Sequence, residues 1–134
     1  LPSSSGGFLW PLSGYTSVNS GYGYREHPTT GLYSMHTGID IPAPTGVPIR
    51  AVKGGQVVTA TTQGGTYGTY VVVDHGGGDS SLYAHMSRLN CSSGDMVSQG
   101  DIIGYVGATG RVTGAHLHLE IRLSYQRVNP MSVY

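Results

Sequence analysis

A single cysteine, Cys91, stands among the 134 residues, so no intramolecular disulfide can form and no zinc site can be built from thiolates. A small, half-buried, inert side chain is what fits a lone cysteine. Charge is scarce as well. Seven basic and seven acidic residues give a formal net charge of zero, with charged residues only 10% of the chain. Nucleic acid and anionic membrane surfaces both call for a basic face, and this composition supplies none. No apolar run approaches the ~20 residues of a membrane span. No charged segment followed by an apolar stretch is present, and the first residue is Leu1 rather than methionine, so the chain reads as a processed or excised domain. Helical patterning is missing too: no window of ~11 residues or more repeats its apolar positions every 3.6 residues.

What the sequence does have is 22 glycines, 10 tyrosines and short β-branched runs. "GVPIRAV" (46–52), "GQVVTATT" (55–62), "TYVVVDH" (69–75), "SLYAHM" (81–86), "DIIGYVG" (101–107) and "HLHLEIR" (116–122) are each bounded by Gly, Asn, Asp or Ser. Such spacing predicts an all-β domain, mostly antiparallel, as a sandwich or partly closed barrel. A single helical turn is expected at most, around residues 87–90. Residues 14–35 hold no long strand and read as an irregular loop region of the kind in which sites are built. "LPSSSGG" at the start reads as the tail of a linker, which places a linker tail at 1–9 and one domain at 10–134.

Six histidines in so short a chain require sorting. In a strand, residues i and i+2 point the same way. "HLHLEI" therefore puts His116, His118 and Glu120 on one face and Leu117, Leu119 and Ile121 on the other. The leucine face goes to the core. The histidine face must meet solvent or polar partners, because unpaired buried imidazoles cost several kcal/mol. Upstream, "HTGIDIP" offers His36 and Asp40 at i, i+4; Gly38 and Pro42 argue against a helix, and an extended segment also puts both on one face. Imidazole nitrogen and carboxylate oxygen are good zinc ligands. With one histidine of the late strand they make three protein ligands, the number a catalytic zinc needs if the fourth position is kept for water. Alone, HxH is more often a pair of surface histidines, and HxxxD is weaker still. "LYAH" (82–85) between them changes the balance.

In this order, "HTGID" (36–40), "LYAH" (82–85) and "GAHLHLEIR" (114–122) resemble the lysostaphin-type peptidases of the M23 or LytM family, and the likeness extends from about Trp10 to Met131. These are zinc metallopeptidases that cut peptide cross-links in bacterial cell walls. The resemblance implies a largely antiparallel β-sheet, akin to a barrel-sandwich hybrid, with a groove floored by the sheet and walled by loops. It further implies one zinc ion held by His36, Asp40 and His118, with His116 and His85 as the catalytic histidines, one acting as base and the other on the oxyanion side. The expected partner is bacterial peptidoglycan outside the cytoplasm, in the cell wall, the periplasm or the extracellular space, met by a monomer. "REHP" followed by "HTGIDIPAP", with Thr37 where glycine-bridge cutters more often carry Tyr, favours the D,D-type cross-link over the glycine bridge. Two other functions remain open at this point: a non-catalytic wall-binding or hydrolase-activating module, and a peptidase of glycine-rich proteins.

The remaining polar residues have plainer readings beside functional ones. Glu120 could hold an imidazole in one tautomer, or pair with a nearby arginine such as Arg122. Arg25, His27 and Tyr33 flank the expected groove as substrate-binding candidates, with surface or packing roles as alternatives. His75 reads as a turn residue, and Tyr67, Tyr70, Tyr105 and Tyr125 as packing residues.

Overall fold

The computed structural model describes residues 7–26, 33–112 and 114–134, leaving aside the side chains of residues 25, 26, 33 and 34. The β-branched runs become strands, as expected. A small antiparallel pair comes first, β1 (Gly23–Glu26) with β2 (Tyr33–His36). The other strands are β3 (Ile39–Pro42), β4 (Pro48–Arg50), β5 (Gly55–Thr61), β6 (Thr69–Gly76), β7 (Asp79–Leu89), β8 (Met96–Val97), β9 (Ile102–Val106), β10 (His116–Leu123) and β11 (Gln126–Val128). These nine form one antiparallel sheet in the order β11-β10-β7-β6-β5-β8, with β3 added on β10 and the β4–β9 pair added on β7. The all-β, antiparallel architecture is therefore the one expected.

The long strand β7 closes the fold. Residues 80–84 pair with β10, whereas Met86, Arg88 and Leu89 pair with β9. Its last residues thus replace the helical turn expected around 87–90. Pairing with Tyr105 and Gly104 satisfies the backbone there, and the Arg88 guanidinium lies 4.4 Å over the Tyr105 ring. A single turn of helix would forfeit both. One core results, enclosed between the two parts of the sheet: Ile39 and Ile41, Val71 and Val73, Tyr83, and Leu117, Leu119 and Ile121 meet Ile49, Ile103 and Val106.

His75 is not a mere turn residue. It sits near the end of β6, its Nδ1 donating to the Gly54 carbonyl at 2.9 Å and its Nε2 lying 2.9 Å from Ser81 Oγ. Ser81 in turn contacts the buried Tyr83 hydroxyl at 2.6 Å, which also accepts from the Val52 N–H. This polar chain crosses the core without an unpaired group, as burial demands. Of the expected linker tail, residues 1–6 lie outside the described residues. Leu9 N–H donates to the Val52 carbonyl, and Phe8 lies beneath the Lys53 ammonium at 5.0 Å. Among the described residues no helix is long and apolar enough to cross a membrane.

Candidate metal and catalytic site

Strand register builds the site. In the β3–β10 ladder Leu117 faces Ile41 and Leu119 faces Ile39 on the core side, so Asp40 and His118 face each other directly on the opposite side. Directly opposed residues hold their Cβ atoms about 5 Å apart, and here the side chains meet: His118 Nδ1 lies 2.8 Å from Asp40 Oδ1. His36 closes on the same carboxylate, Nε2 to Oδ2 at 3.3 Å. The i, i+4 pair does come together, though not along one extended segment, because β2 ends at His36 and β3 starts at Ile39 in a different sheet. Gly38 makes that break possible. A Cβ there would lie 2.1 Å from the Leu119 carbonyl oxygen, so only glycine permits the approach.

His85 reaches the site by a different route. Simple alternation would put it on the face of Tyr83, in the core. Instead its backbone is left-handed, at φ 62, with a register shift in the adjoining β6–β7 ladder. Its ring therefore turns to the His118 side, and Met86 takes the buried position. Thr109 holds this irregularity, donating to the Met86 carbonyl at 2.6 Å and accepting from the Thr69 N–H at 3.0 Å. The His85 and His116 rings then lie side by side, 5.1 Å between centroids.

Tautomers follow from the partners. His36 Nδ1 meets the Gly21 carbonyl at 2.7 Å, His85 Nδ1 the Thr109 carbonyl at 2.8 Å, and His116 Nδ1 the Gly114 carbonyl at 2.9 Å. A carbonyl only accepts, so each Nδ1 carries the hydrogen and each Nε2 keeps its lone pair. His118 is the mirror case, its Nε2 donating to Glu120 Oε2 at 2.9 Å and its Nδ1 turned to Asp40. The lone pairs of His36 and His118 thus point at an acceptor-only carboxylate, with His116 Nε2 a further 3.6 Å from Asp40 Oδ1. Nitrogen and carboxylate oxygen can lie this close only with a cation between them, a proton in the metal-free site or a metal ion in its place. One ligand atom each from His36, Asp40 and His118 lies within 4.8 Å of the other two. Tetrahedral zinc with bonds near 2.1 Å sets its ligands about 3.4 Å apart. Donor set, tautomers and spacing all fit a zinc ion.

The charges agree. Burial opposes ionisation of Asp40, yet the hydrogen bonds and charges of His118 and His36 hold its carboxyl well below the usual carboxylate range. Burial alone would lower His118, but the Asp40 and Glu120 carboxylates raise it to about 9. Burial pushes Glu120 up, whereas hydrogen bonds from His118, Thr37 and Tyr67 bring it down to about 2. His85 shifts the other way: burial is the main cause and lowers it, and the neighbouring His116 and His118 charges add to the effect.

Behind His118 lies a buried network. Glu120, 1% exposed, takes the Thr37 hydroxyl at 2.6 Å and the Tyr67 hydroxyl at 2.5 Å on Oε2, and Arg127 Nε at 3.2 Å on Oε1. The arginine on Glu120 is thus Arg127. Arg122 is four positions along the strand from His118, and its expected pairing with Glu120 is not formed. Tyr67 is likewise no plain packing residue, since its ring stacks 6.0 Å from His118. A cleft of about 670 Å³ opens over these groups, lined also by Met35, Arg111 and Val112. Local sequence gives no sign that Thr109, Arg111 and Arg127 belong to the site, and it reads Thr37 only as bearing on the bond cut and Tyr67 only as packing. Thr37 alone carried a signal, standing between two ligand positions. Of the substrate-binding candidates, His27 lies outside the described residues. The backbones of Arg25 and Tyr33 belong to the β1–β2 pair, but their side chains are not among those described.

The sequence model of peptidase family M23 matches residues 34–130. The chain is 47% identical over 129 residues to a DD-carboxypeptidase/endopeptidase of Neisseria meningitidis serogroup B, covering 96% of this chain and 29% of that protein. To the peptidoglycan DD-endopeptidase ShyC of Vibrio cholerae it is 38% identical over 127 residues, covering 94% of this chain and 29% of that protein. The chain thus spans under a third of the length of both relatives. A zinc-containing peptidase from Vibrio cholerae superposes with a TM-score of 0.87 at 32% identity, over 93% of this chain and 39% of that one.

Proposed function

Because the chain belongs to peptidase family M23, we propose that its residues 10–134 form a zinc-dependent endopeptidase domain that hydrolyses peptide cross-links of bacterial peptidoglycan. The observation that carries this reading is the inward set of imidazole lone pairs around Asp40, which calls for a cation and leaves two further imidazoles beside it. His36 Nε2, one Asp40 oxygen and His118 Nδ1 would hold the zinc. When bound, zinc supplies a Lewis acid that polarises the scissile carbonyl and makes water easier to deprotonate.

The chain's own groups handle the proton. His85 and His116 are anchored through Nδ1 to backbone carbonyls, so each presents Nε2 as an acceptor. Burial keeps His85 neutral at neutral pH, the state a base needs. As water attacks, its oxygen bonds to the carbonyl carbon and its proton passes to an Nε2 of this pair. When the C–N bond breaks, that proton goes to the departing amine, and the neutral imidazole is restored. The second imidazole of the pair lies on the oxyanion side. Arg111 and Tyr67 border the cleft where the peptide lies.

The names of the Neisseria and Vibrio relatives support the D,D-type cross-link over the glycine bridge. A wall substrate places the domain in the periplasm, the cell wall or the medium, and the site needs no second subunit to be complete. Elemental analysis and turnover test the roles: His118→Ala loses zinc and activity, whereas His116→Ala keeps zinc and loses most turnover. Equal zinc in wild type and His118→Ala would sink the site assignment. Mass spectrometry of fragments from a directly cross-linked wall and a glycine-bridged wall tests the bond, with release expected from the first.

A further inference from the structure

The polar face of β10 does not end at Glu120. Arg122 follows on the same side, and there a second cavity of about 690 Å³ opens, with Asp74, Arg122, Tyr125 and Arg127 in its lining. The contacts of Tyr67 and Arg127 with Glu120 separate it from the histidine cleft. In the β10–β11 ladder Arg122 lies directly opposite Arg127, and like charges so placed repel each other. Arg127 is neutralised by Glu120. The Arg122 guanidinium has no hydrogen-bond or ion-pair partner among the described residues. Neither aspartate of the cavity offers it one. Asp74 accepts from the Gly76 N–H at 2.8 Å and Asp79 from the Ser124 N–H at 3.1 Å.

An independent feature marks the same spot. The hairpin that walls the cavity holds two non-glycine residues in left-handed backbone, Ser124 at φ 51 and Tyr125 at φ 68. Tight hairpins of this kind favour Asn-Gly, so Ser-Tyr is strained there, and strain of this sort gathers at ligand clamps. Tyr125, expected to pack, is instead 83% exposed at the cavity edge.

We infer that this cavity is a carboxylate subsite for the stem peptide of the substrate, with Arg122 binding the anion and the Tyr125 ring flanking it. The inference rests on the hydrolase reading above. Arg122 lies four residue steps along the strand from His118, about 13 Å, the reach of roughly four extended peptide residues. The bound carboxylate therefore belongs to a residue that far from the scissile bond. Arg suits the task because its planar fork matches a carboxylate in two hydrogen bonds.

The test uses zinc-loaded protein and two soluble cross-linked stem peptides, one with free stem carboxylates and one with those carboxylates amidated. Wild type is expected to show a KM roughly tenfold lower for the free acid. Arg122→Gln should erase that preference by raising KM for the free acid alone, with kcat and zinc content unchanged. Arg122→Lys, which keeps the charge and loses the fork, should fall between. Equal KM for the two peptides in wild type, or a preference that survives Arg122→Gln, overturns the subsite and leaves the hydrolase reading intact. Cleavage of neither peptide overturns the hydrolase reading instead. Calorimetric binding then decides the subsite by itself: tighter binding of the free acid, lost in Arg122→Gln, keeps it, and equal binding removes it.

Discussion

The two faces of β10 are both buried at their middle, and for opposite reasons. Leu117, Leu119 and Ile121 are fully excluded from solvent among aliphatic neighbours, while His118 and Glu120 on the other face are nearly as hidden. The first face is stabilised by apolar area removed from water. The second is tolerable only because every polar atom has a partner, and no buried side-chain nitrogen or oxygen among the described residues lacks one. Burial by itself therefore does not tell core from site. What separates them is whether a residue's environment is satisfied by any apolar neighbour or by one particular partner.

If the faces are independent, substitutions should sort cleanly. The largest effect belongs to Leu119→Ala, expected to cost about 2–5 kcal/mol of stability through the cavity left, while the folded fraction binds zinc as wild type does. Denaturant unfolding with zinc titration at low temperature measures both, and a weakened metal site in folded protein would show the faces to be coupled. Next comes Glu120→Gln, which keeps shape and removes the charge that orients His118. It should weaken zinc roughly 10–100-fold with a smaller change in unfolding free energy, read by competition against a chelator.

A pH series sharpens the polar side of the comparison. In metal-free protein the raised pKa of His118, about 9, keeps a proton on Nδ1 at neutral pH. Zinc must displace that proton, so its affinity should climb with pH until about 9, by up to ~tenfold per unit. Flat affinity between pH 6 and 8 would mean that His118 is not a ligand. The smallest effect concerns the neighbouring strand. His85 holds a left-handed backbone, so His85→Gly should be more stable than His85→Ala by about 1 kcal/mol, with both inactive. Equal melting temperatures for the two would remove the strain from the account.

Much of this could be read directly from the residues. Alternation in "HLHLEI" assigned its two faces correctly, and "HTGID" supplied two groups that do meet. Local rules failed where geometry breaks its own period. His85 would lie in the core by alternation and escapes only through its backbone and Thr109. Tyr67 and Arg127 reach Glu120 from a 3-10 turn (Gly65–Tyr67) and a hairpin, 53 and 7 residues away, respectively. Nothing near Tyr67 in the chain announces an acceptor, and Arg122, nearer to Glu120 in sequence, lies a pleat further down the strand and meets a different cavity.

By itself, then, the order of residues determined the period-two strands, the glycine break at Gly38 and the chemical kinds of the five groups around the cleft. These depend on sterics and solvation within a few residues. Tertiary structure decided which nitrogen of His36 and of His85 faces inward, because the Gly21 and Thr109 carbonyls that take the other hydrogen lie on other segments, whereas His116 and His118 are set by Gly114 and Glu120 two residues away. It also decided that Arg127 rather than Arg122 neutralises Glu120, since strand pairing, not sequence distance, sets which charges meet.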